Sequence, residues 1–260
     1  MKEIFFDSSG RRFRADLARP VDIAIPLQFN GPQPSHFGAP AASARSLEVN
    51  GFVGDTRAGG SCNCEEITLV PHCNGTHTEC VGHITDQRIA LHECLSDSLM
   101  TAVLVSVTVE TVIDGDRVIT VELLSDALDE LAGDADALIV RTLPNPVDKK
   151  VCNHADGVPP YFTSDAMVWI AERFEHLLTD LPSIDRSHDQ GRLVAHRIFW
   201  GMDAGSRDYE SARFPGRTIT EMIYVDDAVD DGWYLLNLQI PAFVADAAPS
   251  RPRLYPLEEK

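Results

Sequence analysis

The sequence predicts a single strand-rich α/β domain with a mixed sheet and few helices, and three observations carry that prediction. Apolar residues recur mostly with a period of two or in short unbroken runs, the signature of strands. Only Asp165–Leu178 shows a sustained helical period. Strand-like and helix-like segments mix without regular alternation, and no repeat or linker divides residues 1–260.

Residues 1–20, rich in Arg and Asp, read as a solvated arm or edge strand. In Val21–Pro26, Val21, Ile23 and Ile25 alternate with Asp22 and Ala24, which predicts a strand. Gln28–Ala44 carries Pro32, Pro34, Gly38 and Pro40 and is expected to be an irregular loop holding His36 and Phe37. Gly51–Gly60 is turn-rich, and Glu66–Val70 is apolar enough for a short buried strand. Ala102–Ile113 and Val118–Leu124 flank Asp114-Gly115-Asp116, a hairpin signal. Ser125 is expected to cap a short helix through Leu131 that Gly133 ends, and Ala137–Thr142 reads as a buried strand. Within Asp165–Leu178, Met167, Ile170, Ala171, Phe174 and Leu178 share one helical face behind a Ser164 cap. Trp169 falls just off that face and is read as secondary packing. Leu193–Trp200, Ile219–Val225 and Tyr234–Ile240 complete the series as strands or short helices.

With 44% hydrophobic and 24% charged residues, the chain has an ordinary globular balance. Its 40 Asp+Glu against 22 Lys+Arg give a formal charge of −18, which repels phosphate backbones and anionic lipid. A small-molecule substrate is therefore the expected partner, with no nucleic acid and no membrane. The longest apolar run, Thr101–Ile113, is broken by Ser106, Thr108, Glu110 and Thr111 and falls short of the roughly 20 residues of a membrane span. No uninterrupted apolar leader opens the sequence, so a cytoplasmic location is expected. Six cysteines are too few for a disulfide scaffold, yet Cys62, Cys64, Cys73 and Cys80 crowd into nineteen positions. Cys62 and Cys64 are spaced wrongly for a zinc knuckle or redox pair and read as loop packing near a site.

The chemistry concentrates in Pro71–Ile84, PHCNGTHTECVGHI. His72, Cys73, His77, Glu79, Cys80 and His83 offer every side-chain type that binds a borderline metal. Asn74-Gly75 is a turn signal that lets the chain reverse between Cys73 and His77. In an extended segment His77 and Glu79 share a face. Any one of these residues alone is more often an interior residue than a ligand, but three imidazoles beside thiols and a carboxylate are costly to bury without a common cation.

The run HCNGTHTECVGH resembles the signature H-x-G-T-H-x-D-x-P-x-H of the metal-dependent cyclase-like hydrolases, a family that includes kynurenine formamidases and isatin hydrolases; Gly75, Thr76, His77 and His83 match in register. The resemblance implies a cyclase-like, swivelling β/β/α fold, a homodimer or homotetramer, His77 as a metal ligand and His83 as the acid/base. Cys73 stands where the signature has its first His, Glu79 where it has Asp, and Val81 where it has Pro. Two assignments of the first ligand stay open: Cys73, whose register is right, and His72, with Cys73 then behind it. Thiolate softness favours Zn²⁺ over Mn²⁺. Further resemblances lie in ALIVRT (Ala137–Thr142), in LPSIDR with Ser183 and Asp185, in AHRIFW with His196 and in TITEMI with Glu221. They imply that His196 and Glu221 complete a one- or two-ion centre, while His72, Cys80, His36, Phe37 and Asp185 lie behind the ligands or along the substrate.

The expected reaction is hydrolysis of an amide, lactam or formamide C–N bond by metal-activated water, with His83 protonating the leaving nitrogen. Two alternatives stand beside it. One is a non-catalytic binding protein with Cys73 and Cys80 closing the metal's coordination sphere. The other is a cyclase, dehydratase or lactone hydrolase on the same scaffold.

Overall fold

An eleven-stranded mixed sheet organises the chain in the computed structural model, which describes residues 2–8, 10–129, 131 and 133–260. Met1, Ser9, Glu130 and Ala132, on which parts of the expected arm and of the Ser125–Leu131 helix fall, lie outside the described residues. In chain order the strands are β1 (Glu3–Ser8), β2 (Arg11–Asp16), β3 (Val21–Asp22), β4 (His77–Glu79), β5 (Leu99–Thr108) and β6 (Ala137–Leu143). They continue as β7 (His176–Thr179), β8 (Thr218–Glu221), β9 (Gly232–Asn237), β10 (Ala247–Pro249) and β11 (Arg253–Glu259). Across the sheet the order is β1-β2-β11-β9-β5-β6-β7-β8-β4-β10, with β3 beside β11. β5, β6, β7 and β8 are mutually parallel. Antiparallel strands flank them on both sides. The helices are α1 (Leu91–Cys94), α2 (Val121–Leu128), α3 (Ser164–Ala171) and α4 (Val194–Trp200). None is long and apolar enough to cross a membrane.

The parallel strands are apolar on both sides because both sheet faces are covered. Val103, Val105 and Val107 of β5, with Leu138 and Val140 of β6, meet Leu124, Met167, Ile170 and Phe199 of the helices. The alternate residues Ala102, Leu104, Ala137 and Ile139 pack the opposite face against Ile23, Leu236 and Leu254. Burial of each such side chain contributes about 1.5–3 kcal/mol.

The expected N-terminal edge strand is the hairpin β1–β2. The Val21–Pro26 strand is reduced to β3 plus a bridge from Ala24 to Ile223. Four expectations need correction. Glu65–Thr68 is a strand, but among the described residues it pairs only with Ser43–Ser46 and is exposed throughout, so it adds nothing to the core. The hairpin around Gly115 joins Glu110–Thr111 to Arg117–Ile119, whereas β5 leaves it for the central sheet. The Val118–Leu124 strand stops at Ile119, because the Thr120 hydroxyl accepts from the backbone N–H of Leu123 and starts α2; Thr120, not Ser125, is the cap. The helix expected over Asp165–Leu178 runs only Ser164–Ala171 behind a Thr163 cap, and His176–Thr179 turns into β7. There Leu177 and Leu178 face opposite sides of the sheet, so parallel pairing with β6 overrides their helical spacing.

Candidate metal centre

The site forms around β4, which is held between β8 and β10. Gly75, at φ +81°, takes the left-handed conformation that bends the chain into the strand. Thr76 then locks the entry: its hydroxyl donates to Met222 O (2.5 Å) and accepts from Ile25 N (2.9 Å). Strand alternation sends His77 and Glu79 to one face, while Thr78 on the other meets the Thr220 hydroxyl at 2.8 Å. Glu221 of β8 pairs directly across from His77. His83 follows on the short 3₁₀ turn Val81–Ile84, and His196 comes from α4. Asp185 holds that helix by accepting from the backbone N–H groups of Ala195 (2.7 Å) and His196 (3.2 Å).

These side chains converge. Glu79 is buried, with Oε1 2.8 Å from His196 Nε2 and Oε2 2.8 Å from His72 Nδ1. His77 Nε2 lies 3.5 Å from Glu221 Oε2, and His196 Nε2 lies 3.9 Å from Glu221 Oε1. Donor atoms of His72, His77 and Glu79 all fall within 4.8 Å of one another, as do those of Glu79, His83 and His196 and those of His72, His83 and Asp246. The imidazoles are held from behind. His77 Nδ1 donates to Gly75 O (3.0 Å), and His196 Nδ1 meets Asp185 Oδ2 at 2.6 Å. A carbonyl or carboxylate behind the ring fixes the proton on the outer nitrogen and turns the inner lone pair toward a common point.

Burial works to lower the His196 pKa, but Glu79 and Asp185 overcome it and hold His196 well above the usual imidazole range. Burial likewise opposes protonation of His72, yet Asp246 and Glu79 raise it to about 10. Burial favours a neutral Glu79, but His83, His196 and His72 keep its carboxylate ionised. Without an ion, then, protons occupy the positive positions among these carboxylates. His77 Nε2 shows the fit for a cation most directly: it is fully buried, has no hydrogen-bond partner among the described residues, and faces the Glu221 carboxylate. A nitrogen lone pair aimed at an anion leaves a place for positive charge between them.

Of the residues expected in the centre, His77, Glu79, His196, Glu221 and His83 come together as described above, with Asp185 behind His196. Cys73 does not join these groups; His72 stands in its place beside His77 and Glu79. Cys73 is buried, its carbonyl accepts from His36 N (3.2 Å), and burial together with Glu221 pushes its thiol pKa up. Cys80 faces away from the centre, toward Leu91, Ala248 and Cys94, because it alternates with Glu79 along the chain. Cys62 and Cys64 are exposed. His36 is buried and its two ring nitrogens have no hydrogen-bond partner among the described residues; burial, followed by the neighbouring histidines, lowers its pKa to about 4. Phe37, 61% exposed, lines a cavity of about 530 Å³ with His83, Ser183, Asp185, Arg186 and His188. A second cavity of about 390 Å³, around Pro144, Lys149 and Asp180, is lined by none of the converging donors. The sequence reading missed Asp246, which lies 2.7 Å from His72 Nε2 and 3.7 Å from His83 Nδ1. Nothing in the local sequence VADAAPS singles it out.

Solved structures share this architecture over nearly the whole chain. One described as a potential metal-dependent hydrolase with cyclase activity aligns with TM-score 0.62 at 17% identity, over 91% of this chain and 97% of that one. An isatin hydrolase bound to the product analogue thioisatinate aligns with TM-score 0.61 at 13% identity, over 93% and 92%. Isatin hydrolase A from Labrenzia aggregata aligns with TM-score 0.59 at 16% identity, over 91% and 93%. At such identities the likeness establishes the fold. No curated protein matches the chain significantly. Residues 15–186 match the profile of the family described as putative cyclase, a span that includes His72, His77, Glu79 and His83, and the chain belongs to that family.

Proposed function

We propose that the protein is a metal-dependent hydrolase that cleaves an amide-type C–N bond, in a formamide or lactam, of a small molecule. The observation that carries this reading is the buried, unpartnered His77 Nε2 facing Glu221, among donor groups that share Glu79 and border a cavity walled by His83. His72, His77 and Glu79 would hold one divalent cation; Glu79 and His196, with Glu221 beside them, would hold a second. A bound cation supplies Lewis acidity toward a carbonyl oxygen and lowers the pKa of water toward neutrality. With Cys73 outside the donor groups the softness argument for Zn²⁺ falls away, and the imidazole–carboxylate set suits Zn²⁺ and Mn²⁺ alike.

The chain's own residues do the rest. Hydrolysis adds water across the C–N bond, giving a carboxylate and an amine, so the leaving nitrogen needs a proton. His83, part-buried on the cavity wall, is positioned to donate it. Phe37 offers an exposed ring for a flat acyl or aryl group. The working assembly in this reading is a cytoplasmic homodimer or homotetramer.

Metal analysis of the purified protein and of His77→Ala, beside a screen of formamides, lactams and lactones read by product mass, tests the reading. It expects bound metal in the wild type, loss of metal in the variant, and products whose masses together exceed that of the substrate by one water. Metal content unaffected by His77→Ala would overturn the site. A product lighter by one water would assign cyclisation with dehydration instead.

A further inference from the structure

We infer that Asp246 is the positioning residue that makes His72 a metal ligand, an inference that rests on the metal-site reading above. Asp246 lies outside the part of the chain that matches the family profile. It reaches the centre because β10 pairs with β4 in the register Ala247 to Glu79, and because Cys80 N donates to Asp246 O at 3.0 Å. The residue just before β10 is thereby tied by backbone to the strand that carries His77 and Glu79.

His72 stands between two carboxylates, with Nδ1 2.8 Å from Glu79 Oε2 and Nε2 2.7 Å from Asp246 Oδ2. To ligate a cation His72 must be a neutral imidazole, with one N–H and one lone pair, so the two carboxylates then compete for a single proton. If Glu79 held it, Nδ1 would carry hydrogen and could not bind a cation next to His77. Asp246 settles the competition by drawing the proton to Nε2, which leaves the Nδ1 lone pair facing His77 Nε2 and Glu79. Asp185 makes the same arrangement at His196, and Gly75 O makes it at His77. Each inward imidazole is thus backed by an acceptor, and Asp246 is the backing of the one ligand that the sequence pattern places off register. The same carboxylate lies 3.7 Å from His83 Nδ1, within ion-pair reach of the acid/base at the cavity wall.

The experiment is a chelator competition for Zn²⁺ on the full chain, stripped of metal and reloaded, for wild type, Asp246→Ala, Asp246→Asn, His72→Ala and the His72→Ala/Asp246→Ala double variant. Asp246→Ala is expected to weaken Zn²⁺ binding roughly 10- to 100-fold. Asp246→Asn, which keeps the shape and an acceptor oxygen without the charge, loses less. In the His72→Ala background the further loss from Asp246→Ala disappears, because the carboxylate acts through that ring. Wild-type affinity in both Asp246 variants would overturn the inference, and so would an undiminished loss in the His72→Ala background, which marks a merely structural role. Absence of zinc binding by the wild type would be a different result and would overturn the metal-site reading first.

Discussion

His196 Nε2 lies 2.8 Å from Glu79 Oε1, and the other oxygen of that carboxylate lies 2.8 Å from His72 Nδ1. Glu79 is thus shared by donor groups that otherwise draw on different histidines. Replacing it with Gln is expected to lower metal content more than Glu221→Gln does, as measured by elemental analysis of the purified variants. In metal-free protein the same change leaves protonated His72 and His196 short of a buried counter-charge, so it should also cost about 3–5 kcal/mol in denaturant unfolding.

His83 should behave differently. It borders the cavity while His77 and His196 are buried, so His83→Ala is expected to retain its metal and lose roughly 10²–10⁴ in turnover. Steady-state kinetics beside elemental analysis checks this, and full turnover would remove His83 from the chemistry.

Phe37 is exposed and contacts His36 with ring centroids 3.9 Å apart. Phe37→Ala should leave stability within about 0.5 kcal/mol, as a surface change does. It should raise KM for aromatic substrates more than it lowers kcat.

A pH effect on stability comes from outside the site. His176 on β7 is buried with Nδ1 2.8 Å from the Thr218 hydroxyl, and burial pushes its pKa down from 6.5 to about 4. The unfolded chain therefore takes up this proton at higher pH than the folded one. The contribution to stability is whole above pH 6.5 and falls as pH drops toward 4, by at most about 3 kcal/mol. Denaturant midpoints of wild type and His176→Asn across that window should converge as the pH falls.

Lys149 Nζ donates to Asp180 Oδ2 (2.6 Å) and to the carbonyl and hydroxyl oxygens of Thr142 (both 2.9 Å), with the Asp180 side chain fully buried. Lys149→Met strands that carboxylate, and unfolding should reveal a loss of about 3–5 kcal/mol. Lys149→Met/Asp180→Leu should recover most of it.

How far these relationships could be read in the sequence depended on chain distance. His77, Glu79 and the turn before them lie within a few residues, so spacing and strand alternation placed them on one face. Strands β5 and β6 were legible as apolar runs for the same reason. Phe174 and Leu178 fit a helical period, yet pairing with β6 made His176–Thr179 a strand, a competition that local spacing does not record. The choice between His72 and Cys73 turned on which nitrogen or sulfur Glu79 meets. Asp246, 174 residues from His72, is brought in by sheet register alone.

That register bears on how the protein matures. Strand β4 is gripped on one edge by β8 and on the other by β10, so its place is fixed by segments made long after it. During synthesis the donors at positions 72–83 leave the ribosome well before the residues that confine them. The emerging chain offers histidines and thiols without a shaped cage, and in the metal-site reading proposed above tight binding of an ion would wait until β10 has closed against β4.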